Sequence, residues 1–386
     1  MKYYLIAGEA SGDLHGSNLL KGLYKEDPSC KARFWGGPLM DAASKEGEGT
    51  SGLVRDYKEG AVMGFSSVLK NAPKLLGNLR SCKEDILSWQ PDVIILIDYP
   101  GFNFRIAEWA HNKGFKVFYY IAPKVWASRE GRIRKLKKYV DRLFIVFPFE
   151  KDYFSNKGVD YIYEGNPIID AIDNSPLLSE SRASFMERTG IKDGPYIALL
   201  AGSRRGEVSC MMPCLSDFVD RMHSLEQYAD YQFVLAGAPS RSIEDYAPLL
   251  SGREEFVKIV FSETYGVIRH AEAAVINSGT ASLEAAIIGT PQTVCYVGSK
   301  FSFLIARQII RSKFISLGNL ILSRQSFKEF IQYYATGENI LSEIRRILED
   351  SSYRNAMLSD YAEIRSALGG KGASRKVAQA MVKELQ

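Results

Sequence analysis

Three places in the sequence set reactive residues directly after short apolar runs. Gly8-Glu9-Ala10-Ser11-Gly12-Asp13 follows the run Tyr3 to Ala7. Its Gly8, Ser11 and Gly12 form a loop whose backbone N–H groups, before a helix expected near Leu14, suit an anion or a sugar hydroxyl. A plain strand-to-helix turn has the same composition, and the loop is neither G-x-G-x-x-G nor a lysine-bearing P-loop. Ile97-Asp98-Tyr99-Pro100-Gly101-Phe102-Asn103 follows the most aliphatic run, Val93 to Ile97. A carboxylate at the end of a buried strand is partly desolvated, which makes Asp98 a candidate general base; a turn or N-cap role competes with it. Asn103 is expected to cap the next helix, which leaves Asp98 less committed to structure.

The third place is shared by Ala201-Gly202-Ser203-Arg204-Arg205-Gly206-Glu207 and Asn277-Ser278-Gly279-Thr280-Ala281-Ser282-Leu283-Glu284. Ser278, Gly279, Thr280 and Ser282 offer hydroxyls and N–H groups at a helix N-terminus, where the helix dipole favours a diphosphate. Arg204 completes such a clamp with a forked guanidinium. Glu284, one turn further in, can accept from the two hydroxyls of a ribose. Ordinary helix capping explains either loop taken singly.

These loops need strands to position them. Tyr3 to Ala7, Val93 to Ile97, Lys116 to Ile121 and Arg142 to Val146 recur with helical stretches between them. The rhythm restarts with Tyr196 to Leu200, Gln232 to Ala236, Phe256 to Val260, Ala273 to Ile276 and Thr293 to Tyr296. Alternation of this kind predicts parallel α/β sheets whose ligands bind at the carboxyl ends of the strands. At 386 residues the chain exceeds a single core, so two α/β domains are expected, 1–170 and 171–340, with a helical segment over 341–386 for which packing back on the first domain and packing on a partner subunit are both open. One sheet of nine or ten strands is the competing arrangement. Beyond Ser326 the pattern reads as helix to the end.

Composition excludes several classes. The 49 Lys and Arg nearly balance 45 Asp and Glu, too little excess for a protein defined by nucleic-acid binding. Five cysteines without a C-x-x-C pair and four dispersed histidines argue against a disulfide framework or a zinc site, and fit a reducing cytoplasm. No apolar run approaches the roughly 20 residues of a membrane span, and no signal-peptide core is expected at the amino terminus. The basic stretch Arg129 to Lys138 has Ile133, Leu136 and Val140 at helical spacing, which reads as a solvated helix face. From Ala61 to Leu76, Val62, Phe65, Val68, Leu69, Leu75 and Leu76 accompany Lys70 and Lys74, a mixture suited to a lipid surface. Core packing competes with that reading. Met211 and Met212 are expected to extend the patch.

Taken in order, the segments resemble the lipid-A-disaccharide synthase family over essentially the whole length. The resemblance rests on AGEASGD at Ala7 to Asp13, GGPLM at Gly36 to Met40, VMGF at Val62 to Phe65, IDYPGFN at Ile97 to Asn103 and PKVWASR at Pro123 to Arg129. FPFE at Phe147 to Glu150, EGNP at Glu164 to Pro167, AGSRRGE at Ala201 to Glu207, SGTASLE at Ser278 to Glu284 and GNLI at Gly318 to Ile321 complete it. The resemblance implies two Rossmann-like domains of GT-B architecture. The implied reaction transfers 2,3-diacylglucosamine from its UDP derivative to the 6-hydroxyl of 2,3-diacylglucosamine 1-phosphate, with UDP released. It implies Asp98 as base, and Glu9, Ser11, Arg204, Glu284 and Asn319 as active-site or nucleotide-contacting positions. Neither a cofactor nor a metal is expected, and the partners are the two acylated substrates and the inner face of the inner membrane. A homodimer through the carboxyl-terminal helices is compatible with the family pattern. Gly101 stands where the family often has a second Asp, and Ala201 and Gly318 where it often has Pro. The alternatives are another GT-B enzyme, a UDP-N-acetylglucosamine 2-epimerase or the peptidoglycan N-acetylglucosaminyltransferase, and a non-catalytic nucleotide-binding protein peripheral to the membrane.

Overall fold

The structure is a computed structural model that describes residues 1–60, 72–127, 130–298 and 313–386. It divides into two compact units, Met1–Ala171 with Leu368–Gln386, and Ile172–Ala367. Each unit has its own parallel sheet, so the single-sheet arrangement does not occur.

In the first unit the strands are β1 (Lys2–Ala7), β2 (Lys31–Gly36), β3 (Leu53–Asp56), β4 (Val93–Ile97), β5 (Lys116–Tyr120), β6 (Arg142–Ile145) and β7 (Ile162–Tyr163). They lie in the order β3-β2-β1-β4-β5-β6-β7. β4 is buried along its whole length, as expected of a central parallel strand covered on both faces. The order reverses between β1 and β4, which pair from Tyr3↔Val93 to Ala7↔Ile97. In the second unit β8 (Tyr196–Leu200), β9 (Gln232–Gly237), β10 (Val257–Phe261), β11 (Ala273–Asn277), β12 (Gln292–Tyr296) and β13 (Glu329–Ile331) take the order β10-β9-β8-β11-β12-β13. There the reversal falls between β8 and β11, paired from Ala273↔Ile197 to Ile276↔Leu200. A strand-order reversal opens a crevice at the carboxyl ends of the two strands, the usual ligand position in open α/β sheets.

The helices that bear on these crevices are α1 (Ala10–Glu26), α2 (Pro38–Glu48), α3 (Ala72–Trp89), α4 (Pro100–Asn112), α5 (Pro148–Asn156), α6 (Arg205–His223), α7 (Thr280–Ile288) and α8 (Leu317–Leu322). Three more close the chain: α9 (Gly337–Glu349), α10 (Ser351–Ala367) and α11 (Ala373–Lys383). The end of the chain differs from the sequence reading in one respect: strand β13 lies within the stretch read as helix. Of the closing helices, α9 and α10 belong to the second unit and α11 to the first. On α11, Ala378 packs so closely against α1 that a Cβ on Gly22 would lie 2.9 Å from the Ala378 Cβ. Asp170 accepts from the backbone N–H groups of Gly372 (2.6 Å) and Ser374 (2.8 Å), capping α11 from within the same unit. No helix among the described residues is long and apolar enough to cross a membrane.

Candidate active site

In the first unit, the two sequence-selected loops leave neighbouring strands at the reversal. α1 begins at Ala10, one turn earlier than expected, with Glu9 as its extended N-cap (φ −148°). Ser11 is exposed on the first turn and Gly12 is buried against Ala7. Asp13 is buried and accepts from the backbone N–H groups of Gly37 (2.8 Å), Leu39 (3.1 Å) and Met40 (3.0 Å), so its carboxylate fastens α1 to the start of α2. Burial raises the Asp13 pKa, and those three hydrogen bonds oppose the rise. The Gly8 loop meets the Asp98 loop directly, because a Cβ on Gly8 would lie 2.3 Å from the Tyr99 ring. Only glycine allows this approach.

Asp98 is half-buried at the end of β4, and both Asp98 (φ +43°) and Tyr99 (φ +48°) are in the left-handed region. Non-glycine residues rarely take that conformation, and such strain collects at functional sites. Tyr99 is the N-cap of α4, and Pro100 occupies the first turn. Asn103 is therefore not the cap. It is fully buried inside α4, where its Nδ2 donates to the carbonyl oxygens of Asp98 (2.7 Å) and Ile97 (3.2 Å). Burial and, to a smaller extent, the charge of Glu9 raise the Tyr99 pKa.

In the second unit, the two glycine and hydroxyl loops leave β8 and β11 side by side. Gly202 (φ +103°) fits so tightly between them that an added Cβ would lie 2.6 Å from Asn277 Nδ2 and 2.9 Å from a Glu207 oxygen. The two helix starts then differ. At α6, the Glu207 carboxylate accepts from the N–H groups of Ser203 and Arg204, each at 3.3 Å, and pairs with the Arg204 guanidinium at 3.1 Å. At α7, the N-cap is Gly279 and no described side chain caps the helix, while Gly279 and Thr280 are exposed. The open helix N-terminus, the better anion site of the two, is thus that of α7. Glu284 lies one turn in and is largely buried; burial pushes its carboxyl up to about 7, and the Tyr265 hydroxyl, donating to it at 3.2 Å, opposes this.

Against known proteins, residues 3–383 match the family model described as lipid-A-disaccharide synthetase. The chain belongs to that family. It is 35% identical to the lipid-A-disaccharide synthase of Trichlorobacter lovleyi, with 97% of this chain and 95% of that protein covered. With that of Geobacter metallireducens it shares 36% identity over 97% and 94%. Membership makes it a glycosyltransferase of lipid A biosynthesis. Among solved structures it resembles the UDP-GlcNAc 2-epimerase of Neisseria meningitidis, bound to UDP-GlcNAc, with a TM-score of 0.72 at 14% identity and coverage of 99% of this chain and 100% of that one. The sucrose-phosphate synthase of Thermosynechococcus elongatus aligns with a TM-score of 0.57 at 14% identity, covering 100% and 99%. At such identities the likeness shows the GT-B type of fold, and the epimerase alternative gains nothing beyond it.

Several residues expected at the site do other work. Asn319 is fully buried in α8, with Nδ2 donating to Phe327 O (2.9 Å) and Glu329 Oε1 (2.8 Å) and Oδ1 accepting from Ser326 N (2.8 Å). Its side-chain amide is fully engaged within the protein. Ser282 is likewise buried, its hydroxyl donating to Gly279 O at 2.8 Å. Met211 and Met212 are 0% and 2% exposed on the core face of α6, which removes them from any lipid-facing patch. Leu75 packs on the first unit's core, whereas Leu76 is 63% exposed. Val62, Phe65, Val68 and Leu69 lie outside the described residues. In the basic stretch, Ile133 and Leu136 are buried and Arg134, Lys135, Lys137 and Lys138 face solvent.

Sequence reasoning passed over the buried acid Glu150. Glu150, first residue of neither loop but last of the FPFE segment, is 0% exposed. It accepts from the N–H groups of Val146 (3.1 Å) and Phe147 (3.0 Å) and from Trp126 Nε1 (3.1 Å). Burial raises its pKa to about 7, against the pull of these hydrogen bonds. Asn166 donates to Val146 O at 3.0 Å. The PKVWASR, FPFE and EGNP segments are therefore joined around the end of β6. The available signal was a Glu three residues into a Pro-started helix, the position from which a side chain reaches back to the cap.

Proposed function

We propose that the chain transfers 2,3-diacylglucosamine from its UDP derivative to the 6-hydroxyl of 2,3-diacylglucosamine 1-phosphate, with inversion, Asp98 acting as the base. The observation that carries this reading is the position of Asp98, half-buried in a strained turn where the strand order reverses. An α-linked donor that gives a β-linked product calls for a single displacement. The acceptor oxygen forms the bond to the anomeric carbon, the bond from that carbon to the diphosphate breaks, and the hydroxyl proton passes to Asp98. One carboxylate and no protein nucleophile suffice. Departing UDP gains negative charge. The reading assigns its stabilisation to the open N-terminus of α7 with Ser278, Gly279 and Thr280, and to Arg204 released from Glu207; no metal is given a role. Glu284 accepts from the ribose, and Glu9 and Ser11, with Gly8 and Gly12 shaping their loop, border the acceptor.

The family relationship and the UDP-sugar carried by the structural neighbour from Neisseria support this choice of donor. Because both substrates carry acyl chains, the enzyme is expected to work peripherally at the inner face of the inner membrane. Asp98→Asn keeps the shape of the side chain but cannot take a proton. It is expected to lower kcat by about 10²- to 10⁴-fold, the usual contribution of a general base, with UDP affinity unchanged in a direct titration. Retention of more than about half of wild-type kcat, with both substrates saturating, would show that another group is the base.

A further inference from the structure

We propose that Tyr119 and Asn103 are positioning residues for Asp98, gripping its main-chain carbonyl so that a disfavoured turn presents the carboxylate; the inference rests on the reading of Asp98 as base. Two successive non-glycine residues, Asp98 and Tyr99, have φ of +43° and +48°. Such a pair persists only where its surroundings over-determine it. Here the surroundings are specific. The Tyr119 hydroxyl, on the neighbouring strand β5, donates to Asp98 O at 2.7 Å. Asn103 Nδ2, from within α4, donates to the same oxygen at 2.7 Å and reaches Ile97 O and Ile6 O at 3.2 and 3.5 Å. Both lone pairs of one carbonyl are thereby taken by side chains that are themselves fully buried, while Asp98 N donates to Tyr120 O at 3.1 Å.

The arrangement is specific to this turn. Strand pairing already holds Ile97 through its partners on β1 and β5, so sheet formation does not require either side-chain donor. What the donors fix is the backbone angle at Asp98, and with it the direction in which Cβ leaves the chain. A base must stand within hydrogen-bond reach of the proton it takes, and a displacement of about 1 Å can cost about 10²-fold in rate.

Tyr119→Phe removes one O–H and keeps the ring beside Phe104, whose centroid lies 5.7 Å away. The expected result is a fall in kcat of about tenfold, with KM for both substrates and UDP affinity within about twofold of wild type. The decisive comparison is a double-mutant cycle. If Tyr119 acts only through the carboxylate, Tyr119→Phe has no further effect on turnover in an Asp98→Asn background. Asn103→Leu, which keeps a similar volume and has no donor for the carbonyls, is expected to follow the same pattern with a larger loss; should it fail to fold, Tyr119→Phe decides alone. Wild-type turnover by Tyr119→Phe beside a defective Asp98→Asn, or losses that multiply in the double variant, overturns this inference and leaves the base reading intact. An active Asp98→Asn overturns both.

Discussion

Glu284 shows how burial changes the titration of a single residue, and the proposed ribose contact makes that change measurable. Its carboxyl is raised to about 7, chiefly by burial, so near neutrality it is divided between acid and carboxylate. Only the carboxylate accepts from both ribose hydroxyls, so UDP affinity is expected to rise as the pH increases from about 6 to about 8, measured by isothermal titration. The linked stability has the opposite sign. A carboxyl whose pKa is raised by folding contributes stability that is complete below its unfolded value and is lost as the pH rises through about 7. Glu284→Gln is accordingly expected to weaken UDP binding while raising Tm by a few °C at about pH 8, on the usual scaling for a unit of this size. Arg204 and Asn319 make a useful contrast. Arg204 is 59% exposed and paired with Glu207, and Arg204→Ala should weaken UDP binding about tenfold or more with little change in Tm. Asn319→Ala leaves buried groups unpaired, so it should cost about 2 to 3 kcal/mol of stability and leave the UDP affinity of the folded protein unchanged. Melting curves and titrations of the two variants separate these roles.

At the scale of elements, the site is made by close approach between loops, and glycines set the distance. Gly8→Ala would drive a methyl group into the Tyr99 ring, displacing the turn that carries Asp98; turnover is expected to fall by about tenfold or more while UDP affinity is kept. The elements that carry these loops were legible. β1, β4, β8 and β11 are five- or six-residue runs buried almost throughout, and a buried run followed by glycine and polar residues is a strong local signal. β2, β3, β7 and β13 were not, because KARFWG begins with charge, LVRD and IY are only half-buried at sheet edges, and EFI has three residues. Tertiary contacts alone define such strands. Asn103 was misread as a cap although Pro100 already marked the helix start. Asn319 was out of reach for another reason: its partners at Ser326, Phe327 and Glu329 come together only when α8 folds onto β13. The positions of Asp98 and of the α7 start were legible, whereas the donors that hold Asp98 belong to a neighbouring strand and a helix interior.

The whole molecule sets a Rossmann-like crevice in each of two units, and the family relationship covers nearly all of the chain. No helix among the described residues is long and apolar enough to cross a membrane, and Leu76 is exposed to solvent. The most direct test of the account is UDP release by the full chain, with UDP-2,3-diacylglucosamine as donor and 2,3-diacylglucosamine 1-phosphate as acceptor in mixed micelles, run in parallel with unacylated sugars and with excess EDTA. The account predicts UDP release that depends on the acceptor, with a β-linked disaccharide as co-product. Rates with the acylated pair should exceed those with unacylated sugars by at least about 10²-fold, since remote binding energy is needed to reach the transition state. EDTA should leave them unchanged. Equal rates with unacylated sugars, or UDP release without disaccharide, would contradict it.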